Sequence, residues 1–560
     1  MKKNKKKLGI IAGVIIVVLL IALIFPFVLP WSYKSVEHEN MNLKPKFEFS
    51  SMFLKYKDGT VEGTKRIQFK NYTVASMYFG LPVTTVSAGA FENNTKLESI
   101  TLLDNIMYIS DNAFSGCTSL ETISLPSTLV TISHTAFNDC TALKYSEYEN
   151  ALYLGNEENP YLALISVIDT FVSSATIHEG TSVIADRAFA KCNKLESITF
   201  KGKVVPVYAY SDIQSLKSVT IEGDATEIPS GAFTGCNFLR EVNIPNTVKV
   251  IGNSAFSGCG LLAAIDLPDS LVTIGNSAFN KCKSLTSIEL PETVTSIGKN
   301  AFTGCTMLKE INIPDAVTSI GDYAFSSCAM LESINLPEGI ESVNNYVFQG
   351  CTSLKSVELP STVTKIGISA FAGCSKLETA VLNEGLTNIY ASAFSQCASL
   401  SNIEIPNSVT IIGDYAFEGC VMFETVSIPK NIERIGAGPF YGCEKLVNIE
   451  VDEENANYTA IDGHLYSKDG TVFIQYANGK ENVNFYIPEI VTTIGDSAFR
   501  ACKSLANVII PDTVVTINGF AFFGCSSDLK IYAETIKQPL GWNKSWNYSK
   551  LPVFWGYVEK

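Results

Sequence analysis

The sequence predicts a right-handed solenoid of stacked repeat units, and three observations carry that prediction. All fifteen cysteines stand three residues after a phenylalanine. Ten of them, Cys236, Cys259, Cys282, Cys305, Cys328, Cys351, Cys374, Cys397, Cys420 and Cys443, recur every 23 residues. Leucine follows by three residues from Leu239 to Leu400, and proline by nine in most units, as at Pro245, Pro268 and Pro291. A fixed period of about 20–29 residues with Leu and Ile at set offsets marks a leucine-rich solenoid, in which each unit contacts only its neighbours. The 560 residues therefore read as one long array, not the several domains that length alone suggests.

The chain opens with a basic tail, residues 1–7, carrying five lysines. Residues 8–30 are 23 uncharged positions. Roughly 20 apolar residues cross a bilayer, and leading lysines hold the N-terminus in the cytoplasm. A transmembrane signal-anchor is expected, with residues 31–560 exported. A cleaved secretory signal is the alternative, although the run exceeds the roughly 7–15 residues of such a segment and no A-x-A site follows. No cysteine precedes Cys117, which excludes a lipoprotein anchor at this end. Residues 31–72 do not follow the repeat and are read as a stalk and N-terminal cap, with a hairpin around Asp58-Gly59.

Within the array, residues 73–530, positions are counted from the cysteine. A β-branched residue at +6 (Ile265, Ile288, Ile311, Ile334, Val357, Ile403) and Leu or Ile at +8 give a period of two, so a short half-buried strand is expected there. Proline cannot donate to a ladder and ends it. A second extended piece closes in Ile-Gly, as at Ile251-Gly252 and Ile297-Gly298, with Asn at 344 and 518. Gly and Asn both tolerate positive φ, so this slot is read as a left-handed turn. The A-F-x-G-C stretch suits a short helical turn that packs Phe inward. Successive units are expected to stack through parallel strands.

The recurring I-P-x-x-V-x-x-I-G-x-x-A-F-x-G-C-x-x-L unit resembles the BspA-like, or Treponema-type, class of leucine-rich repeats over about residues 73–530. Two irregular inserts, about residues 145–183 and 451–488, are similar to variants of that class; the second reads as a hairpin around Asp469-Gly470. The ending, residues 531–560, resembles the tail that closes such arrays. Its Trp542, Trp546 and Trp555 are placed to cover the open end of the core. The resemblance implies a secreted or surface protein that binds other molecules, often as an adhesin, and no reaction.

The cysteines admit three readings. In an exported protein many cysteines suggest disulfides. Here the count is odd, every cysteine holds one equivalent slot, and Asn94 replaces it in the first unit. A ladder of small buried groups, each hydrogen-bonding the turn of the next unit, fits these facts better. Stacked slots also have parallel Cβ vectors, poor for a disulfide, and no paired C-x-x-C offers a metal site. No cofactor is expected.

Catalysis finds no residues to use. The four histidines, His38, His134, His178 and His464, form no ligand or triad spacing, and no G-x-S-x-G occurs. The glycines at 436, 438 and 442 are a varied repeat unit without a phosphate-loop lysine. Asp452-Glu453-Glu454 reads as a solvated edge, with calcium as the lesser alternative.

A solenoid presents the side chains between its buried strand positions as a continuous exposed face. The +7 row includes Asn243, Asp266, Glu289, Asn312, Asn335, Glu358 and Glu404; the +5 row adds Glu241, Glu310 and Asn402. The +7 row has no Lys or Arg. Past residue 30 the chain holds 37 basic against 56 acidic side chains, which argues against nucleic acid and suits a basic ligand, a cation or a neutral glycan. These residues are the candidate binding face, or an ordinary soluble surface. The expectation is a non-enzymatic, membrane-anchored surface protein binding an extracellular protein or glycan; the alternative is an envelope-organising scaffold without a specific ligand.

Overall fold

Most units of the array contribute two extended segments that stack on counterparts in the next unit as parallel ladders, each ladder being broken into several stretches along the chain. The computed structural model describes residues 49–64, 69–205 and 213–558, which lie within one unit of structure, Phe47–Lys560. The basic tail, the apolar segment 8–30 and residues 31–48 lie outside the described residues. Among the described residues no helix is long and apolar enough to cross a membrane.

The first ladder uses residues +5 to +8. Ser218–Ile221 pairs with Glu241–Asn243, Ser287–Glu289 with Glu310–Asn312, and Ser356–Glu358 with Thr379–Val381. Pleating turns Val242, Ile288 and Val357 into the core and leaves Glu241, Glu289 and Glu358 outside. The proline that follows starts a turn: Val294 N donates to the Pro291 carbonyl at 3.0 Å. The second ladder is two residues wide, running through Val250–Ile251, Thr273–Ile274, Ser296–Ile297 and Ser319–Ile320 in register.

The glycine that closes this second strand is not left-handed. Gly252 and Gly298 are absent from the positive-φ residues. A Cβ on Gly298 would stand 2.5 Å from the backbone N of Asn276 and C of Gly275, so glycine here permits close approach of two main chains. Where Asn344 takes the slot, its Nδ2 donates to the Ile320 carbonyl at 2.7 Å. At the preceding joint the corresponding acceptor, Ile297, takes the Gly321 N–H at 2.9 Å. The second ladder is divided at this joint, between Ser319–Ile320 and Ser342–Val343. Positive φ falls elsewhere, on the residues one and five before the cysteine, such as Gly258 (φ 80°) and Ser254 (φ 56°).

Those two left-handed residues replace the expected helical turn. Through Ser254–Cys259, amides alternate in destination. Ala255, Ser257 and Cys259 donate three residues back, to Gly252, Ser254 and Phe256. Ser254, Phe256 and Gly258 donate to Asn276, Ala278 and Asn280 of the next unit, at 2.7–2.8 Å. A helix would spend every amide within its own unit; this backbone satisfies all six while tying half of them to a neighbour. The single helical element among the described residues is the 3₁₀ segment Phe49–Phe53.

Stacking fills the interior with columns of identical side chains. From Phe233 to Phe440 ten phenylalanines stack face to face, centroids 5.2–5.6 Å apart and planes within 14°. The inserts divide the apolar interior into three clusters, around Phe91–Phe137, the long central column, and Phe473–Trp546. Each insert is an antiparallel meander whose last strand joins the second ladder: Ala163–Val167 pairs with Val183–Ile184, and Val472–Gln475 with Thr493–Ile494.

The expected hairpins form. Asp58 and Gly59 (φ 46° and 76°) connect Leu54–Lys57 to Thr60–Thr64, and Gly470 (φ 76°) lies in the turn between His464–Ser467 and Val472–Gln475. Asp462-Gly463 makes a further hairpin, between Tyr458–Ile461 and His464–Ser467, that the sequence reading passed over. At the far end Trp542 and Trp546 are buried, and Trp546 meets the last ring of its column, Phe522, edge-on at 5.8 Å. Trp555 is instead partly exposed on the final strand, Val553–Trp555.

Candidate ligand-binding face

The ten candidate face residues are all exposed. Pairing places Glu289 beside Asn312 and Ser287 beside Glu310, while an isolated bridge carries Asn312 to Asn335. Asp266, Asn402 and Glu404 lie in stretches without strand pairing, yet Ile265, Ile403 and Ile405 beside them are buried, so the alternation persists. Among the described residues no side-chain hydrogen bond or ion pair engages any of the ten.

Cations lie one strand-edge away, and three lysines are paired there, whereas among the described residues Arg240 and Lys309 at the same offset are not. At +4, Lys355 meets Glu332 at 2.7 Å, Lys217 meets Glu196 at 2.5 Å, and Lys144 meets Glu121 at 2.6 Å, each across adjacent units. The Lys355 ammonium holds the Glu332 carboxyl below its ordinary range. Exposed pairs of this kind contribute little to stability; their effect is to leave the neighbouring +7 row acidic and unneutralised.

The cysteine column is interior and reduced. All fifteen thiols are free and fourteen are buried, Cys525 being half-buried. From Cys259 to Cys443 each Sγ donates to a phenylalanine carbonyl 26 residues earlier, as Cys259 to Phe233 at 3.3 Å and Cys305 to Phe279 at 3.2 Å. The acceptor therefore lies in the preceding unit, not the next, because the strand path brings each cysteine over the turn already laid down. In the first unit Asn94 is also buried, and its Oδ1 accepts the Lys96 N–H at 3.3 Å. Burial pushes Cys282 and Cys351 up to about 12 and raises Cys397 and Cys443 further. Thiols so held are protonated and are not nucleophiles. Among the described residues no group of three or more His, Cys, Asp or Glu could hold a metal ion.

The histidines are scattered. His134 lies 3.3 Å from Asp186 at the surface, and His178 stacks on Tyr161 at 4.0 Å. His38 lies outside the described residues. His464 is fully buried among Tyr476, Phe473 and Phe485. Its Nδ1 accepts the Ala477 N–H at 3.1 Å, while Nε2 has no partner. Asp452, Glu453 and Glu454 are exposed, with Glu454 paired to Lys430 at 2.9 Å.

One stretch of the face was missed by the sequence reading. Beyond the second insert the +7 row continues as Ile509 and Tyr532, counted from Cys502 and Cys525, with Tyr486 before them and Phe554 after. Ile509 and Tyr532 stand at the same offset from their cysteines as the acidic row does in the central array.

Fold and face together define a leucine-rich-repeat β-solenoid with an open polar row. The sequence matches the model of the BspA type leucine-rich repeat region at residues 64–157, 169–284, 272–398, 341–469 and 475–538, and the chain belongs to that family. Leucine-rich repeat families of this surface type are generally protein-binding and non-enzymatic. Among solved structures, the chain is similar to a leucine-rich repeat protein from Bacteroides ovatus (25% identity, TM-score 0.40, covering 74% of this chain and 95% of that one). A leucine-rich cell surface protein from Faecalibacterium prausnitzii is similar at 25% identity (TM-score 0.30, 65% and 95% covered). The leucine-rich repeat protein of T. pallidum is similar at 26% identity (TM-score 0.26, 42% and 91% covered). No curated protein matches the sequence.

Proposed function

We propose that this chain is an anchored cell-surface binding protein whose polar row takes an extracellular partner with basic character. The observation that carries this reading is the row itself. Asp266, Glu289, Glu358 and Glu404 stand exposed without side-chain partners, while Lys144, Lys217 and Lys355 are neutralised at +4. A repeated polar surface is where solenoids bind, and a cationic partner would meet carboxylates there that no described side chain neutralises. The lysine-led apolar segment 8–30 would hold the array at the outer surface as a signal-anchor.

The test is capture by the full chain in mild detergent against extracellular-matrix and envelope fractions, at low and high salt. A saturable partner is expected that is lost at high salt, and lost when Asp266, Glu289, Glu358 and Glu404 are all changed to Ser. Absence of any partner at either salt would leave an envelope scaffold without a specific ligand. Retention of the partner by the fourfold variant would place the binding surface elsewhere.

A further inference from the structure

A short hairpin stands out from the turn that opens the array. Met77–Tyr78 pairs antiparallel with Leu81–Pro82, and Phe79 and Gly80 alone make the bend. Both have positive φ, 48° and 81°. A two-residue bend of this kind takes Asn-Gly or Asp-Gly by preference, and a bulky residue in the left-handed region is an outlier that the needs of its backbone do not explain. Phe79 is 89% exposed at the apex, and Met77 and Leu81 are exposed behind it. Pairing sets Met77 and Pro82 on one face and Tyr78 and Leu81 on the other, so exposed apolar groups lie on both faces of a narrow finger. Tyr78 stacks on Tyr56 at 4.5 Å with planes 20° apart, and the Ala75 N–H donates to the Tyr56 hydroxyl at 3.2 Å, which fixes the base. No charged residue occurs between Lys70 and Glu92.

We propose that this hairpin is a membrane-contacting finger whose tip enters the interface of the bilayer that carries the chain. The inference rests on the reading of residues 8–30 as an anchor. Residues 31–48 then tie Phe49 to that bilayer, and by whatever path they take they span at most about 65 Å. Thr73 N donates to Ser50 Oγ at 3.1 Å, so the strand that leads into the finger starts beside the end of this tether. Two features favour lipid over a protein partner. Met77, Phe79 and Leu81 together offer less surface than the ~800 Å² per partner that a stable protein interface buries. A protein would also cover one face of the finger, whereas lipid surrounds both. So small an apolar contact would not hold a free protein on a membrane; a tether supplies the missing local concentration. Lys55 and Lys57 on the neighbouring hairpin are balanced by Asp58 and Glu62, all four exposed, so the contact does not select for lipid charge. A second point of attachment would restrict the swing of the first turn, and with it the direction in which the polar row faces.

The test is tryptophan fluorescence of the full chain reconstituted into phosphatidylcholine vesicles, with or without bromine on the acyl chains. Phe79→Trp is expected to add blue-shifted emission to that of the parent's own tryptophans, most of it lost in the brominated lipid. Leu81→Trp should behave alike, and should escape quenching once Phe79→Asn is added, a change that suits the bend and keeps the parent's thermal melt. Adding phosphatidylglycerol or salt should alter neither result. Emission from Phe79→Trp that bromine does not quench, in chains that float with the vesicles, overturns the finger and leaves the anchor standing. Blue-shifted emission that bromine spares but dilution reverses would assign the tip to a second copy of the chain and also overturn it. Failure of the parent itself to float with the vesicles overturns the anchored reading, and the finger with it.

Discussion

Cys305 reaches back across 26 residues and donates its thiol to the carbonyl of Phe279 at 3.2 Å. That carbonyl also takes the Cys282 N–H at 3.1 Å, so one oxygen joins two units. Cys305→Ala removes a weak donor and leaves a small void, and is expected to cost about 1–2 kcal/mol, read from urea unfolding. In the native protein a thiol reagent should find one fast-reacting site, Cys525, with the other fourteen protected until unfolding. Rapid modification of several thiols would contradict the buried ladder.

The two classes of glycine are separable by substitution. Gly258 has φ 80°, but nothing nearer than 3.6 Å would meet its Cβ, and Lys281, Ser327 and Gln396 occupy the same left-handed slot. Gly258→Ala is expected to cost about 1 kcal/mol of backbone strain. Gly298→Ala drives a Cβ into main chain at 2.5 Å and should cost about 1–3 kcal/mol through displacement of the neighbouring unit. If thermal melts reversed that order, the Ile-Gly slot would be a conformational requirement after all.

Burial lowers the His464 imidazole from 6.5 to about 4, with the nearby Lys480 acting in the same direction. The folded state therefore holds the neutral ring. Above pH 6.5 stability is unaffected; as pH falls from 6.5 towards 4 the unfolded chain gains a proton the folded one refuses, and stability declines by roughly 3 kcal/mol at one unit per 1.4 kcal/mol. Below about 4 the loss levels off. Denaturant midpoints measured between pH 7 and 4 should show this slope for the parent and a shallower one for His464→Phe.

Trp546 closes the last phenylalanine column, edge-on to Phe522. Trp546→Ala is expected to cost about 3–5 kcal/mol at that site. Because stability in such arrays passes only between neighbours, hydrogen exchange should quicken in residues 493–555 while Phe256–Phe417 keeps its protection. A uniform loss throughout would mean that the stack behaves as one cooperative block.

What the sequence made legible was what repetition exposes. The inward pair at +6 and +8, the closing proline and the column of cysteines follow from spacing alone, since any residue recurring every 23 positions must meet its own kind. Less legible was which neighbour each group touches. The Cys305 thiol turns to the unit before it, and the Phe256 amide to the unit after it, a distinction no period contains. Gly298 and Gly258 also look alike as letters, although one is selected by crowding and the other by its torsion angle. Of the candidate face, the acidic row could be written down by counting, whereas Tyr486, Tyr532 and Phe554 required the strand register to join them across an insert.

The alternating amides of the A-F-x-G-C turns also set how the array would respond to being pulled. Bonds from Ser254, Phe256 and Gly258 to the following unit run along the stack, beside those of the second ladder, so tension along the stack loads these sets of bonds in parallel, with the first ladder adding a third wherever it forms. Joints themselves are in series, and the weakest yields first. At the Ile320–Asn344 joint a side-chain amide stands in for a ladder bond, which makes it the natural fuse. Each unit released there would pay out about 80 Å of chain, turning a sudden tug into a sequence of small, recoverable extensions.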